Sequence, residues 1–171
     1  FATTDIYANK SVFDREYTEP LGWTPKTFYK GGVNEYGAKT NIPYLNEDSF
    51  VLLGADYKTF EHKNDMDKKY NNKSIFATNS NKFFDNTIFT QSLRADNYDK
   101  FDNKTTGKIG LKHFITDDLE VSTNYGTGYN TPSFIQAFKP SWGGNEDLQP
   151  EKTKSYDVGI EYKGFSVTYF N

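Results

Sequence analysis

The sequence predicts an all-β chain: an antiparallel up-and-down meander of about nine strands that forms part of a larger transmembrane β-barrel. Three observations carry this prediction. Apolar and polar residues alternate with a period of two over most of the chain. The connections between the alternating segments are long and short in turn. Aromatic residues reach 18% although hydrophobic content is only 35%, so the apolar surface is concentrated in rings, on strands whose other face is wet.

The elements follow in order. Residues 3–15 alternate around Ile6, Ala8 and Val12, and 16–25, with Pro20, Gly22 and Pro25, read as a loop. A long, glycine-interrupted strand over 28–42 ends at Pro43 and the connection 45–48. Over 50–61, Val51, Leu53, Ala55 and Tyr57 share one face against Gly54, Asp56 and Lys58. The charged stretch 62–72 reads as a solvated loop, and 73–83 as a strand closed by the tight turn 84–86. Over 87–98, Phe89, Leu93 and Ala95 oppose Thr90, Ser92, Arg94 and Asp96, and a polar connection over 99–104 follows. Strands over 106–115 and 119–129 flank the short 116–118. The second sets Leu119, Val121, Tyr125 and Tyr129 against Glu120, Ser122, Asn124, Gly126 and Gly128. The longest connection comes next, carrying Pro132, Trp142, Gly143, Gly144 and Pro150; within it 132–138 reads as one helical turn with Pro132 at its first position. Strands over 153–162 and 165–171 are joined by the hairpin pair Lys163-Gly164.

A meander whose every second turn is minimal has one plain end and one elaborated end, as outer-membrane barrels do. Several strands reach the roughly 9 to 11 residues that cross a bilayer when tilted. The Leu, Val, Ile and Tyr face is expected to meet lipid, and the polar face a water-filled or plugged lumen. Large plugged barrels have about 22 strands, so residues 1–171 are read as an incomplete barrel segment, with plug domain and C-terminal strands absent. Taken alone, such a piece is expected to aggregate or to need detergent.

Other classes fit poorly. A net charge of -3 with dispersed bases gives no footprint for nucleic acid, and the lack of cysteine removes disulfide frames and thiolate metal sites. No nucleophile-base set or carboxylate pair can be assembled, so no enzyme is expected. Asp65, Asp67, Asp96, Asp99 and Asp102 offer oxygen ligands without the turn glycine and closing glutamate of a calcium loop, and no metal or cofactor is assigned. His62 reads as solvated at the start of a long loop, and His113 lies far from it in sequence. Arg94, inward beside Asp96, is expected to pair with lumen charges or a plug.

The stretch GTGYNTPSF, followed by GGNEDLQPEKTKSYDVGIEYKG, resembles the signature of TonB-dependent outer-membrane receptors. Tyr129, Thr131, Pro132, Ser133, Asn145, Leu148, Pro150, Glu151, Ser155, Tyr156 and Gly159 stand at matching positions, and 93–98 is similar to the family's Leu-Arg-Tyr-Asp strand. Glu146 occupies the usual proline position, a departure read as relaxing the turn without touching the chemistry. The resemblance implies uptake of a ferric siderophore or similar metal chelate across the bacterial outer membrane, driven by TonB through a plug domain not contained here. It makes Pro132, Asn145, Leu148, Pro150, Glu151, Tyr156 and Gly159 structural motif residues. Ligand contact is expected at Tyr129, Phe138, Lys139 and Trp142, because rings at an extracellular mouth can stack on a chelate. Cobalamin and haem receptors of the same family are alternatives, and the lack of histidine over 133–144 counts against haem. A passive porin, and a soluble carbohydrate-binding or adhesion module, are the alternatives from other classes.

Overall fold

The computed structural model describes residues 1–18, 26–64, 66–139, 141 and 143–171. The strands are β1 (Thr3–Tyr17), β2 (Thr27–Tyr44), β3 (Asn46–Lys63), β4 (Lys68–Phe83), β5 (Thr87–Tyr98), β6 (Lys104–Thr116), β7 (Leu119–Asn130), β8 (Glu151–Tyr162) and β9 (Phe165–Phe170). They form one nine-stranded antiparallel sheet in chain order, β1 through β9. A short helix, α1 (Phe134–Phe138), lies between β7 and β8.

The faces divide as the alternation requires. Register places Asp56, Ser74 and Asp96 in one transverse row of β3, β4 and β5, and Gly54, Phe76 and Arg94 in the next row on the same face. Contacts on this face skip strands: Arg94 of β5 reaches over β4 to Asp56 of β3 at 2.9 Å, and Phe13 of β1 reaches over β2 to His62 of β3, ring centroids 5.8 Å apart. Both reaches close over the polar face, which suits a sheet that curls toward it and makes that face the concave one. Gly31 makes the second reach possible, because a Cβ there would stand 2.7 Å from the Phe13 ring. The opposite, convex face carries Leu53, Ile75, Leu93, Ile109, Val158 and Ile160, all exposed. That inverts a soluble sandwich, which hides its apolar face in a core, and it suits a lipid-facing wall.

Arg94 meets the expectation for lumen charges. Its Nη1 and Nη2 donate to the Asp56 carboxylate at 2.9 and 3.0 Å, its Nε donates to Asp96 at 3.0 Å, and Nη2 also donates to Ser74 Oγ at 2.7 Å. The guanidinium fork thereby ties three strands into one stretch of wall. On the convex side, Leu93 lies below the row that holds Tyr57 and Lys73. Leu93→Lys is expected to destabilise the folded receptor in bilayers by roughly 2 kcal/mol, between midplane and interfacial values. Reversible unfolding in lipid vesicles measures the effect, and a neutral result would remove lipid from that face.

Several boundaries differ from the sequence reading. The stretch 62–72 is mostly strand, with β3 running to Lys63 and β4 starting at Lys68, so that residues 64–67 make the connection. There the inward His62 and Tyr70 are buried against Phe134, and the backbone ladder continues where the outward apolar signal has stopped. The connection expected at 45–48 is Leu45 alone, at φ 61°, after a register shift at Pro43/Tyr44. The alternation of long and short connections persists in kind, although 64–67 is barely longer than 84–86. Pro20, Gly22 and Pro25 lie outside the described residues. Lys163 and Gly164 both take positive φ, 48° and 83°, the backbone expected of a two-residue hairpin.

Candidate functional site

The elaborated end of the sheet is organised by the connection 131–150, which folds inward. Ser133 caps α1 in a reciprocal box: its Oγ accepts from Gln136 N–H, and the Gln136 side chain accepts from Ser133 N–H at 2.9 Å. Pro132 therefore precedes the cap rather than opening the helix, which begins at Phe134. Gly143 adopts φ +78°, and a Cβ on Gly144 would lie 2.5 Å from the Lys139 backbone nitrogen, so the return of the chain past the helix needs both glycines. Asn145 Oδ1 then accepts from Asp147 N–H at 2.9 Å and closes the turn into β8.

The inner surface of this connection is aromatic. Tyr70, Phe101, Ala137 and Phe138 form a buried cluster. Tyr70 is its centre, stacked on Phe60 at 4.8 Å and in contact with Phe101 and Phe134 at 5.2 Å each. α1 thus rests on β3, β4 and the β5–β6 connection, well away from its own strand β7. Lys139 carries the crossing further: its Nζ donates to Tyr29 Oη of β2 at 3.1 Å and lies 4.8 Å from that ring's centroid. Between α1 and the wall of β1 to β3 is a cavity of about 690 Å³, lined mainly by apolar groups and including Phe13, Arg15, Tyr29, His62 and Ile135.

Cations ring the cluster. Lys68 and Lys100 each place Nζ near the Phe138 ring, at 5.2 and 5.1 Å from its centroid. Glu146 bridges the two, Oε1 to Lys68 at 3.3 Å and Oε2 to Lys100 at 3.5 Å. Its carboxyl is held below the usual range, chiefly by the hydrogen bond from Lys68. In place of the family's proline, this position thus carries a carboxylate that links two other connections.

The predicted site residues separate. Phe138 and Lys139 come together here but are buried, packed against the chain itself. Tyr129 joins them at one remove: its Oη meets Tyr98 Oη at 2.7 Å with the rings edge-on, and Tyr98 packs against the buried cluster. Trp142, like Asp65, lies outside the described residues. Among the motif residues, Leu148 N–H donates to Asn145 C=O at 3.3 Å, Pro150 is buried, Glu151 opens β8 opposite Asn130, and Tyr156 pairs with Tyr125. Gly159 faces Ser122, whose Oγ would stand 3.1 Å from an added Cβ.

His62 corrects the sequence reading. It is buried, 4% exposed, among the rings of Phe13, Tyr29 and Phe134. The inward parity of Asp56, Lys58 and Phe60, continued past the expected loop boundary, points to it. Asp99 and Asp102, considered for calcium, are engaged otherwise, by Asn71 at 2.7 Å and Lys104 at 3.6 Å.

A family profile described as "TonB dependent receptor-like, beta-barrel" matches residues 2–171. The chain belongs to this family. The receptor segment is 31% identical over 113 residues to the vitamin B12 transporter BtuB of Photobacterium profundum, a match covering 66% of this chain and 17% of that protein. It is 25% identical over 107 residues to the ferrienterobactin receptor of Escherichia coli K12, covering 53% of this chain and 14% of that one. A solved variant of the ferric enterobactin receptor PfeA of Pseudomonas aeruginosa superposes with a TM-score of 0.80 at 16% identity, over 99% of this chain and 31% of that one. The siderophore receptor PirA of Acinetobacter baumannii gives 0.75 at 15%, again over 99% and 31%. The receptor segment therefore spans well under a quarter of the length of these two curated relatives, and the solved structures share its fold. The family is one of receptors and transporters.

Proposed function

We propose that this segment forms part of the wall and mouth of an outer-membrane receptor that imports a ferric siderophore or similar anionic metal chelate, with TonB acting through a plug domain of the complete protein. The observation that supports it is the meeting of cations and rings at the elaborated end: Lys68 and Lys100 beside Phe138, and Lys139 on Tyr29, above a wall that is polar inside. A chelate with aromatic, negatively charged arms suits both features. Cobalamin uptake is the second reading, favoured by a relative named as a vitamin B12 transporter. Titration of the full-length receptor in detergent with ferric tris-catecholate and with cyanocobalamin decides between them. Saturable binding of the catecholate supports the first reading, and saturable binding of cobalamin alone replaces it with the second.

A further inference from the structure

Lys68 and Lys100 come from different connections and converge on one ring and one carboxylate. Lys68 opens β4, Lys100 lies between β5 and β6, and both ammonium groups sit about equally far from the Phe138 centroid, at 5.2 and 5.1 Å. Two like charges held this close repel unless an anion lies between them. Glu146 supplies that anion, giving one carboxylate oxygen to each lysine. The neighbouring acids are committed elsewhere: Asp99 accepts from Asn71, and Asp102 pairs with Lys104. The Glu146 side chain is 59% exposed, and the two lysine side chains 42% and 26%, so solvent reaches all three. Phe138 and Ala137 belong to a cluster with Tyr70, Phe101 and Phe134 that does not include Glu146, so α1 keeps these contacts when Glu146 leaves.

We propose that Lys68 and Lys100, on the face of Phe138, form an anion-binding site which the chain's own Glu146 fills, and that an incoming polyanion takes the place of Glu146. A ligand with several negative charges outcompetes a single carboxylate for two cations, and the freed segment 145–149 becomes the part of the mouth that responds to it. The inference deepens the receptor reading and rests on it for the nature of the natural anion, a chelate carrying carboxylate or catecholate oxygens. The site itself is testable without that ligand.

The receptor segment has no cysteine, so D147C offers a single attachment point here for an environment-sensitive dye beside the bridge in the full-length receptor. Sodium tripolyphosphate is titrated at low ionic strength. The dye is expected to respond saturably, and Glu146→Gln to tighten the apparent Kd about three- to ten-fold, the scale of two exposed ion pairs released from competition. The double variant Lys68→Ala, Lys100→Ala is expected to abolish the response, and about 1 M salt to suppress it. An unresponsive dye in both wild type and Glu146→Gln, or an affinity that Glu146→Gln leaves unchanged or weakens, overturns the proposal. Ferric tris-catecholate is titrated in parallel. Tripolyphosphate binding without catecholate binding keeps the anion site and rejects the catecholate reading. Catecholate binding that is indifferent to Glu146→Gln, with tripolyphosphate silent, does the reverse.

Discussion

Replacing Arg94 with methionine is expected to lower the unfolding free energy of the full receptor by about 3–5 kcal/mol, because it leaves two buried carboxylates without their cation. The Asp56 and Asp96 side chains are 3% and 1% exposed, so water does little to replace the guanidinium. Five hydrogen bonds from one fork, counting both Asp96 oxygens, are lost together. Equilibrium unfolding of the receptor in vesicles, wild type against Arg94→Met, measures the effect. Adding Asp56→Asn and Asp96→Asn to Arg94→Met should restore most of the loss, since the penalty belongs to the uncompensated charges. A loss below about 1 kcal/mol, the scale of an exposed ion pair, would mean that lumen water already screens the network.

Phe138→Ala is expected to cost about 3–5 kcal/mol, but locally, in the docking of the connection 131–150. The ring stands 5.7 Å from Phe134, belongs to the buried cluster of Tyr70 and Phe101, and carries the two lysines. Its removal takes away the seat of α1 while the strand ladder stays intact. Limited chymotrypsin digestion after Phe134 in α1 should accelerate by about 100-fold or more, as expected when a local opening becomes cheaper by that amount. The global unfolding midpoint in vesicles should stay near that of wild type. An unchanged cleavage rate would show that the connection is held without this ring.

The strands were legible wherever lipid imposes alternation. Residues 87–98 coincide with β5, and 119–129 falls one residue short of β7, because Leu, Val and Ile there must alternate with groups that face water. Legibility ended at the membrane boundary. In 62–72 the strands continue through Lys63, Lys68 and Lys69, and the rings there, His62 and Tyr70, point inward against the connection instead of outward to lipid, so the lipid-facing pattern no longer marks the ladder. Phe138 and Lys139 could be singled out in the sequence, but their burial against the chain and the partners that bury them could not. Tyr29 and Tyr70 stand on other strands, brought there by an inward fold of the connection that no local propensity encodes, and the capping pair Ser133 and Gln136 marks where the helix starts but not where it docks. The role of Glu146 was hidden for the same reason: both of its lysines are non-local in sequence, and the backbone pattern around it describes only a turn.

The bond between Lys139 and Tyr29 joins residues 110 positions apart, whereas each strand of the wall pairs with its neighbour in the chain. Wall and mouth therefore differ in when they can form. Strand pairing advances by short loop closures, one hairpin after another, but α1 has no seat until β2 through β7 are aligned and curled. The connection 131–150 is therefore expected to dock only after the strands it rests on have paired.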